Sequence, residues 1–212
     1  MSQYHKIQTV YKRDPANYHK TLLDGEFSLP EFAYLAACPW VWTEKVDGTN
    51  IRVMWDGTNI TLGGKTDNVQ LHADLVKHLQ ETFTQEVMLE VFGAESDVCL
   101  YGEGCGAGIQ KGGGNYYPDK RFVLFDVRIG EWWLQRKDIE GVAASLDIPI
   151  VPIIGCGSLP AMVDMVRTGF PSAWGDFQAE GIVARPMVEL QTRAGNRIIT
   201  KLKAKDFRKG DK

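Results

Sequence analysis

Apolar and polar residues alternate in short runs along most of this chain, and only a few stretches repeat at helical spacing. Trp40-Val41-Trp42-Thr43-Glu44-Lys45 reads as a strand that ends at a tight Asp47-Gly48 turn. Ile51-Arg52-Val53-Met54-Trp55 and Ile60-Thr61-Leu62 flank Asp56-Gly57, a hairpin signal, because glycine accepts the positive φ such turns require. Further strands are expected over 87–92, 98–101, 121–129, 150–154, 181–185 and 197–202. Leu71, Leu75, Leu79 and Phe83 recur every four residues, which puts them on the core-facing stripe of a helix beginning near Asn68. Two more helices are expected, over 138–146 with Asp138 as N-cap and over 159–167 behind Ser158. Many strands joined by short turns, with few helices between them, predict an α+β fold of mainly antiparallel sheets with flanking helices. No repeat and no Pro/Gly/Ser-rich linker divides the chain, so one domain over 1–212 is the expectation.

Composition adds bounds. The chain has 212 residues, 44% hydrophobic and 24% charged, enough for a substantial core. No run approaches the ~20 apolar residues of a membrane helix, and Met1-Ser2-Gln3-Tyr4-His5-Lys6 lacks a secretory pattern, so a cytoplasmic protein is expected. Cys38, Cys99, Cys105 and Cys156 form no CxxC pair and are read as buried free thiols; the scattered His5, His19, His72 and His78 suggest no metal set. The net charge of -3 hides an asymmetry. From Arg193 to Lys212 eight basic residues face only Asp206 and Asp211, so this tail is +6 and the remainder -9. It offers either a local basic surface for phosphates or a solvated terminus.

The candidate chemistry begins at Glu44-Lys45-Val46-Asp47-Gly48-Thr49-Asn50, a lysine at a strand end leading into a turn. An ammonium is not a nucleophile, and a free lysine pKa near ~10.4 leaves almost none neutral, so a reactive lysine needs cationic neighbours or a metal to relieve its proton. Further along stand Tyr101-Gly102-Glu103-Gly104, Phe122-Val123-Leu124-Phe125-Asp126, Glu180-Gly181-Ile182-Val183 and Thr200-Lys201-Leu202-Lys203. In this order and spacing, over the 159 residues from Lys45 to Lys203, they resemble the five motifs of the covalent nucleotidyltransferase superfamily of ATP-dependent ligases and RNA capping enzymes. Thr49-Asn50 and the glycine-rich Gly102-Glu103-Gly104-Cys105-Gly106-Ala107-Gly108-Ile109-Gln110 are similar to the RNA ligase branch, in particular the type that seals nicks in duplex RNA.

The resemblance implies a nucleotidyltransferase (adenylation) domain with a nucleotide cleft between its sheets, and an ATP-dependent RNA ligase. Lys45 would attack the α-phosphorus of ATP, and Lys201 and Lys203, two apart on a strand and so on one face, would reach the phosphates. Glu103 would accept a ribose hydroxyl, with Glu44 among the nucleotide contacts. Glu180, with Asn50 nearby, would hold a hydrated Mg2+, or Mn2+ in its place. Phe125 is expected to stack on adenine, although Phe122 offers the same ring. In Gly63-Gly64-Lys65-Thr66-Asp67, Lys65 stands where relatives carry an arginine on phosphate or AMP; it keeps the charge and loses the bidentate fork. Lys65, Gln110 and Lys205 are the candidate RNA contacts. Lys111-Gly112-Gly113-Gly114 is either a mobile loop beside the site or a flexible turn.

The implied substrate is RNA with a 5'-phosphate and a 3'-hydroxyl, as a nicked duplex. Nine residues follow Lys203, so a catalytic domain without an appended C-terminal domain is expected, which self-adenylylates but takes RNA contacts from an accessory protein or a pre-paired substrate. The alternatives are a DNA ligase, a capping-type guanylyltransferase domain, or a nucleotide-binding module that transfers nothing.

Overall fold

A computed structural model describes residues 3–67, 69–94 and 97–207. In chain order the elements are β1 (Gln8–Thr9), β2 (Tyr11–Arg13), β3 (Leu22–Phe27), α1 (Pro30–Tyr34), β4 (Trp40–Glu44), β5 (Thr49–Trp55), β6 (Ile60–Gly63), α2 (Ala73–Thr82), α3 (Gln85–Phe92), β7 (Val98–Cys105), β8 (Arg121–Ile129), β9 (Trp132–Trp133), α4 (Arg136–Ser145), β10 (Ile153–Gly157), α5 (Leu159–Thr168), β11 (Gly181–Pro186) and β12 (Thr200–Lys203). The fold is α+β with mainly antiparallel sheets, as expected. It divides into two compact units: unit 1 is Met1–His5 with Asp47–Val151, and unit 2 is Lys6–Val46 with Pro152–Lys212.

Unit 1 is built on the antiparallel sheet β6-β5-β7-β8-β9. Because strand side chains alternate, one face carries Ile51, Val53, Trp55, Leu100, Phe122 and Val127, all fully buried. They pack with Leu75 and Leu79 of α2, Met88 of α3 and Ile139 of α4. The opposite face follows from the register: Asn50 lies across from Glu103, Arg52 from Tyr101, and Tyr101 from Asp126. Polar and aromatic residues therefore gather on one side of a sheet whose other side is apolar.

Unit 2 holds the sheet β1-β12-β11-β4-β10, in which only the β1/β12 pair is parallel. Trp40, Trp42, Ile182, Ala184 and Leu202 face Leu159, Met162, Val163 and Val166 of α5, with Phe32 of α1 in the same core. β2 and β3 pair as a separate hairpin.

Several expected elements differ. Residues 87–92 form the helix α3, not a strand: Thr84 caps it by accepting from the Val87 N–H at 3.3 Å. The helix carrying Leu75 and Leu79 starts at Ala73, with His72 as its cap; Asn68 lies outside the described residues. Asp138 is in the first turn of α4, whose N-cap is Gln135. The strand placed at 150–154 is β10, shifted to Ile153–Gly157, because Pro149 and Pro152 have no N–H for a continuous ladder and Ile150 makes only an isolated bridge to Leu124. Arg197 and Ile198 precede β12, turned back toward Gln191 and Leu190. Of the four free cysteines Cys99 and Cys105 are buried, whereas Cys38 and Cys156 are exposed. Burial pushes the Cys99 thiol up to about 11 and the Cys105 thiol up to about 12. No helix among the described residues is long and apolar enough to cross a membrane.

Candidate active site

The ends of three neighbouring strands of unit 2 set its reactive cluster. Ile182 on β11 pairs with Glu44 on β4, Gly181 pairs with Lys203 on β12, and the Lys45 N–H donates to the Gly181 carbonyl at 2.9 Å. Lys45, Gly181 and Lys203 thus follow one another across the sheet. Gly181 is required by this closeness: a Cβ there would collide with the Leu202 carbonyl oxygen. Immediately before β11, Glu180 receives both amines. Lys45 Nζ lies 2.5 Å from its Oε2 and Lys203 Nζ 2.5 Å from its Oε1. The three side chains are 18%, 22% and 13% exposed for Lys45, Lys203 and Glu180, reachable yet shielded from bulk water. Lys201 shares the Lys203 face of β12, while Thr200 and Leu202 are buried on the other. Two ammonium groups on one carboxylate, with Lys201 on the same strand face as Lys203, make this a basic spot able to neutralise a polyphosphate, and a single carboxylate is a donor set that suits a hydrated hard cation asking for few protein oxygens.

Strand alternation turns Glu44 away from its neighbour Lys45. It is 1% exposed, and its carboxylate accepts from Ser172 Oγ at 2.6 Å and from the Ala173 N–H at 2.8 Å. The Ser172 hydroxyl oxygen in turn accepts from the Trp174 N–H at 3.1 Å. The carboxylate expected among the nucleotide contacts is engaged by the loop after α5 and ties that loop to the lysine strand.

In unit 1, Asn50 and Glu103 stand opposite each other on β5 and β7, on the polar face. Asn50 Oδ1 is buried with no hydrogen-bond partner among the described residues. Gly48 passes so close to β7 that a Cβ would strike the Gly104 carbonyl oxygen. Two side chains fix this turn: Tyr116 Oη accepts from the Asp47 N–H at 3.2 Å, and Gln110 Nε2 donates to the Gly48 carbonyl at 3.2 Å. The run 111–114 is folded through hydrogen-bonded turns into the short 3-10 helix Gly113–Asn115, with Gly113 buried against Gly106.

The two phenylalanines differ in packing. Phe122 is fully buried, edge-on to Phe83 at 5.3 Å between centroids. Phe125 is the extra residue where the β7/β8 register shifts, since Tyr101 pairs with Asp126 and Gly102 with Leu124. Such a bulge re-aims a side chain. Phe125 is half-buried, and its ring meets Tyr4, which also contacts Tyr101 and Trp133 and donates from its hydroxyl to Asp126 Oδ2 at 2.7 Å. Sequence reasoning missed Tyr4, Trp133 and Tyr116, because nothing local marks an aromatic that arrives from a distant segment.

The candidate RNA contacts are all exposed. Lys65 is exposed in the bend after β6, Gln110 is exposed beside the Asp47-Gly48 turn, and Lys205 is exposed in the 3-10 turn Ala204–Asp206. Within the described part of the basic tail, several charges are already engaged. Arg197 is 8% exposed and paired with Glu189 at 2.5 Å, Lys203 is held by Glu180, and the buried Asp206 pairs with Arg13 at 2.9 Å. Arg208, Lys209, Asp211 and Lys212 lie outside the described residues.

An RNA ligase family profile matches residues 38–203, the stretch that runs from the lysine strand to the last lysine of the cluster. The chain belongs to the RNA ligase family. RNA ligase structures from Naegleria gruberi share its fold: an apo variant superposes at a TM-score of 0.65 with 16% identity, covering 98% of this chain and 58% of that one. A variant with ATP and Mn gives 0.67 and 16%, over 96% and 56%, and the enzyme with pyrophosphate 0.65 and 16%, over 96% and 58%. The chain thus spans little more than half the length of these proteins. No curated protein matches it.

Proposed function

We propose that this chain is an ATP-dependent RNA ligase that carries AMP on Lys45. The observation that carries the reading is the grip of Glu180 on both Lys45 and Lys203, 2.5 Å each, inside an RNA ligase family match. Lys45 Nζ forms a bond to the α-phosphorus of ATP as the bond to pyrophosphate breaks, leaving a phosphoramide-linked AMP. Lys45 loses its proton to solvent before it attacks, favoured by the positive charge of Lys203 beside it on the same carboxylate, and Lys201 and Lys203 neutralise charge on the phosphates. AMP then passes to an RNA 5'-phosphate, and a 3'-hydroxyl attacks to form the phosphodiester and release AMP. Glu180 is the residue that would hold hydrated Mg2+ or Mn2+, which supplies further neutralisation of phosphate charge when bound.

Unit 1 offers groups suited to a nucleoside: Glu103 as acceptor for a ribose hydroxyl, Asn50 Oδ1 as an unsatisfied oxygen, and Phe125 as the stacking ring. Lys65, Gln110 and Lys205 are the proposed RNA contacts, and the proposed substrate is a nick in duplex RNA. The buried Glu44 acts through Ser172 and Ala173, positioning the Lys45 strand instead of touching nucleotide.

The test is incubation with α-labelled ATP or GTP, followed by a nicked RNA duplex, a nicked DNA duplex or unpaired RNA strands. Labelling from ATP and sealing of the RNA nick are expected. Labelling from GTP alone would point to a capping-type transferase, and sealing confined to DNA would overturn the RNA assignment.

A further inference from the structure

The loop that carries Lys65 is held from below by an arginine with no assigned part in the chemistry. Arg52 lies on the polar face of β5, two residues from Asn50 and opposite Tyr101. Its side chain is 1% exposed. Nε donates to the Gly64 carbonyl at 2.9 Å, and Nη2 meets Asp67 Oδ1 at 2.5 Å. The two arms of the guanidinium therefore grip the backbone just before Lys65 and the side chain two residues after it. Gly63, the ladder partner of Arg52, leaves room for this, since a Cβ there would stand 3.0 Å from Nη2.

A guanidinium removed from water beside a carboxylate that is itself 77% exposed is a poor device for stability, because its desolvation is only partly offset. What the planar fork provides is geometry, two hydrogen bonds in fixed directions. It also changes the local field. Asp67 is two residues from Lys65, and unpaired it would repel any phosphate that Lys65 attracts; paired with Arg52, its charge is neutralised.

We infer that Arg52 and Asp67 form a clamp that positions Lys65 for a phosphate of the RNA strand. The inference rests on the reading of Lys65 as a phosphate contact and deepens it: the fork absent from position 65 is present beneath the loop. Arg52 and Asp67 are positioning residues, acting through Lys65.

The test measures AMP transfer from pre-adenylylated enzyme to a nicked RNA duplex for the wild type, Lys65→Ala, Asp67→Asn and the double variant, with Arg52→Lys as a second probe that keeps the charge and loses the fork. Asn at position 67 keeps an oxygen that can accept from Arg52, and an unchanged circular dichroism spectrum checks that the variant folds. Losing the charge-assisted bond is expected to slow transfer about tenfold in Asp67→Asn, with self-adenylylation within about twofold of wild type. Because the clamp works only through Lys65, the double variant is expected to be no slower than Lys65→Ala alone. Asp67→Asn transferring at the wild-type rate, or the two effects multiplying, would overturn the clamp while leaving the ligase reading intact. Wild-type transfer by Lys65→Ala would instead overturn the phosphate contact at Lys65, and the clamp with it.

Discussion

Glu44 and Lys45 are adjacent in sequence and face opposite environments, which is how one short strand serves both structure and chemistry. Lys45 reaches Glu180, while Glu44 is sealed against Ser172 and Ala173. A buried carboxylate that loses a donor keeps its desolvation cost, so Ser172→Ala is expected to destabilise the protein by about 1–3 kcal/mol. Urea denaturation reads this directly, and an unchanged midpoint would mean that Ser172 does not support Glu44. Lys45, Glu180 and Lys203 were legible because their spacing is carried by motifs that reach across the chain. Arg52 and Tyr116 were not, since an arginine between Ile51 and Val53 reads as one polar position in an alternating strand. Phe125 could not be separated from Phe122 before the bulge was seen, because a register shift leaves no mark in composition.

Among the elements, β4, β5, β8, β11 and α5 were readable from alternation, turn residues and the Ser158 cap. The helix α3 was not, because a short apolar run from Val87 to Phe92 fits a buried strand as well as a helix. Thr84 three residues before Val87 was the available signal, a capping residue placed where a strand reading gives it no task. The seam between α2 and β8 carries a pH response. His78 accepts from the Phe122 N–H at 3.3 Å, and burial, reinforced by the positive charge of Arg121, holds its pKa below the usual 6.5. The unfolded chain therefore takes up the proton first, so this contribution is intact above the ordinary value and is lost as pH falls below it. The urea midpoint is expected to drop from about pH 8 to about pH 5 more steeply in the wild type than in His78→Gln, which retains an acceptor without titrating. Parallel profiles would exclude His78 as the source.

At the scale of the whole molecule, each unit has its own sheet and core, and the chain passes from unit 2 to unit 1 between Val46 and Asp47. That passage falls inside the Lys-x-Asp-Gly motif, with no change of composition and no linker, so the division was invisible in the sequence. The mainly antiparallel α+β fold was visible, because turn signals and alternation recur along the chain. Pairing within the described part of the basic tail was not visible, because charge counting cannot foresee that Arg197 pairs with Glu189 or that Asp206 is buried against Arg13. The proposed chemistry requires the amine of Lys45 to become covalently linked to AMP. Peptide mass spectrometry of the protein after incubation with ATP and Mg2+ tests it most directly: an adenylyl group on Lys45, absent when Lys45→Ala protein is treated alike, is the expected result, and an adduct on another residue or on none would contradict it.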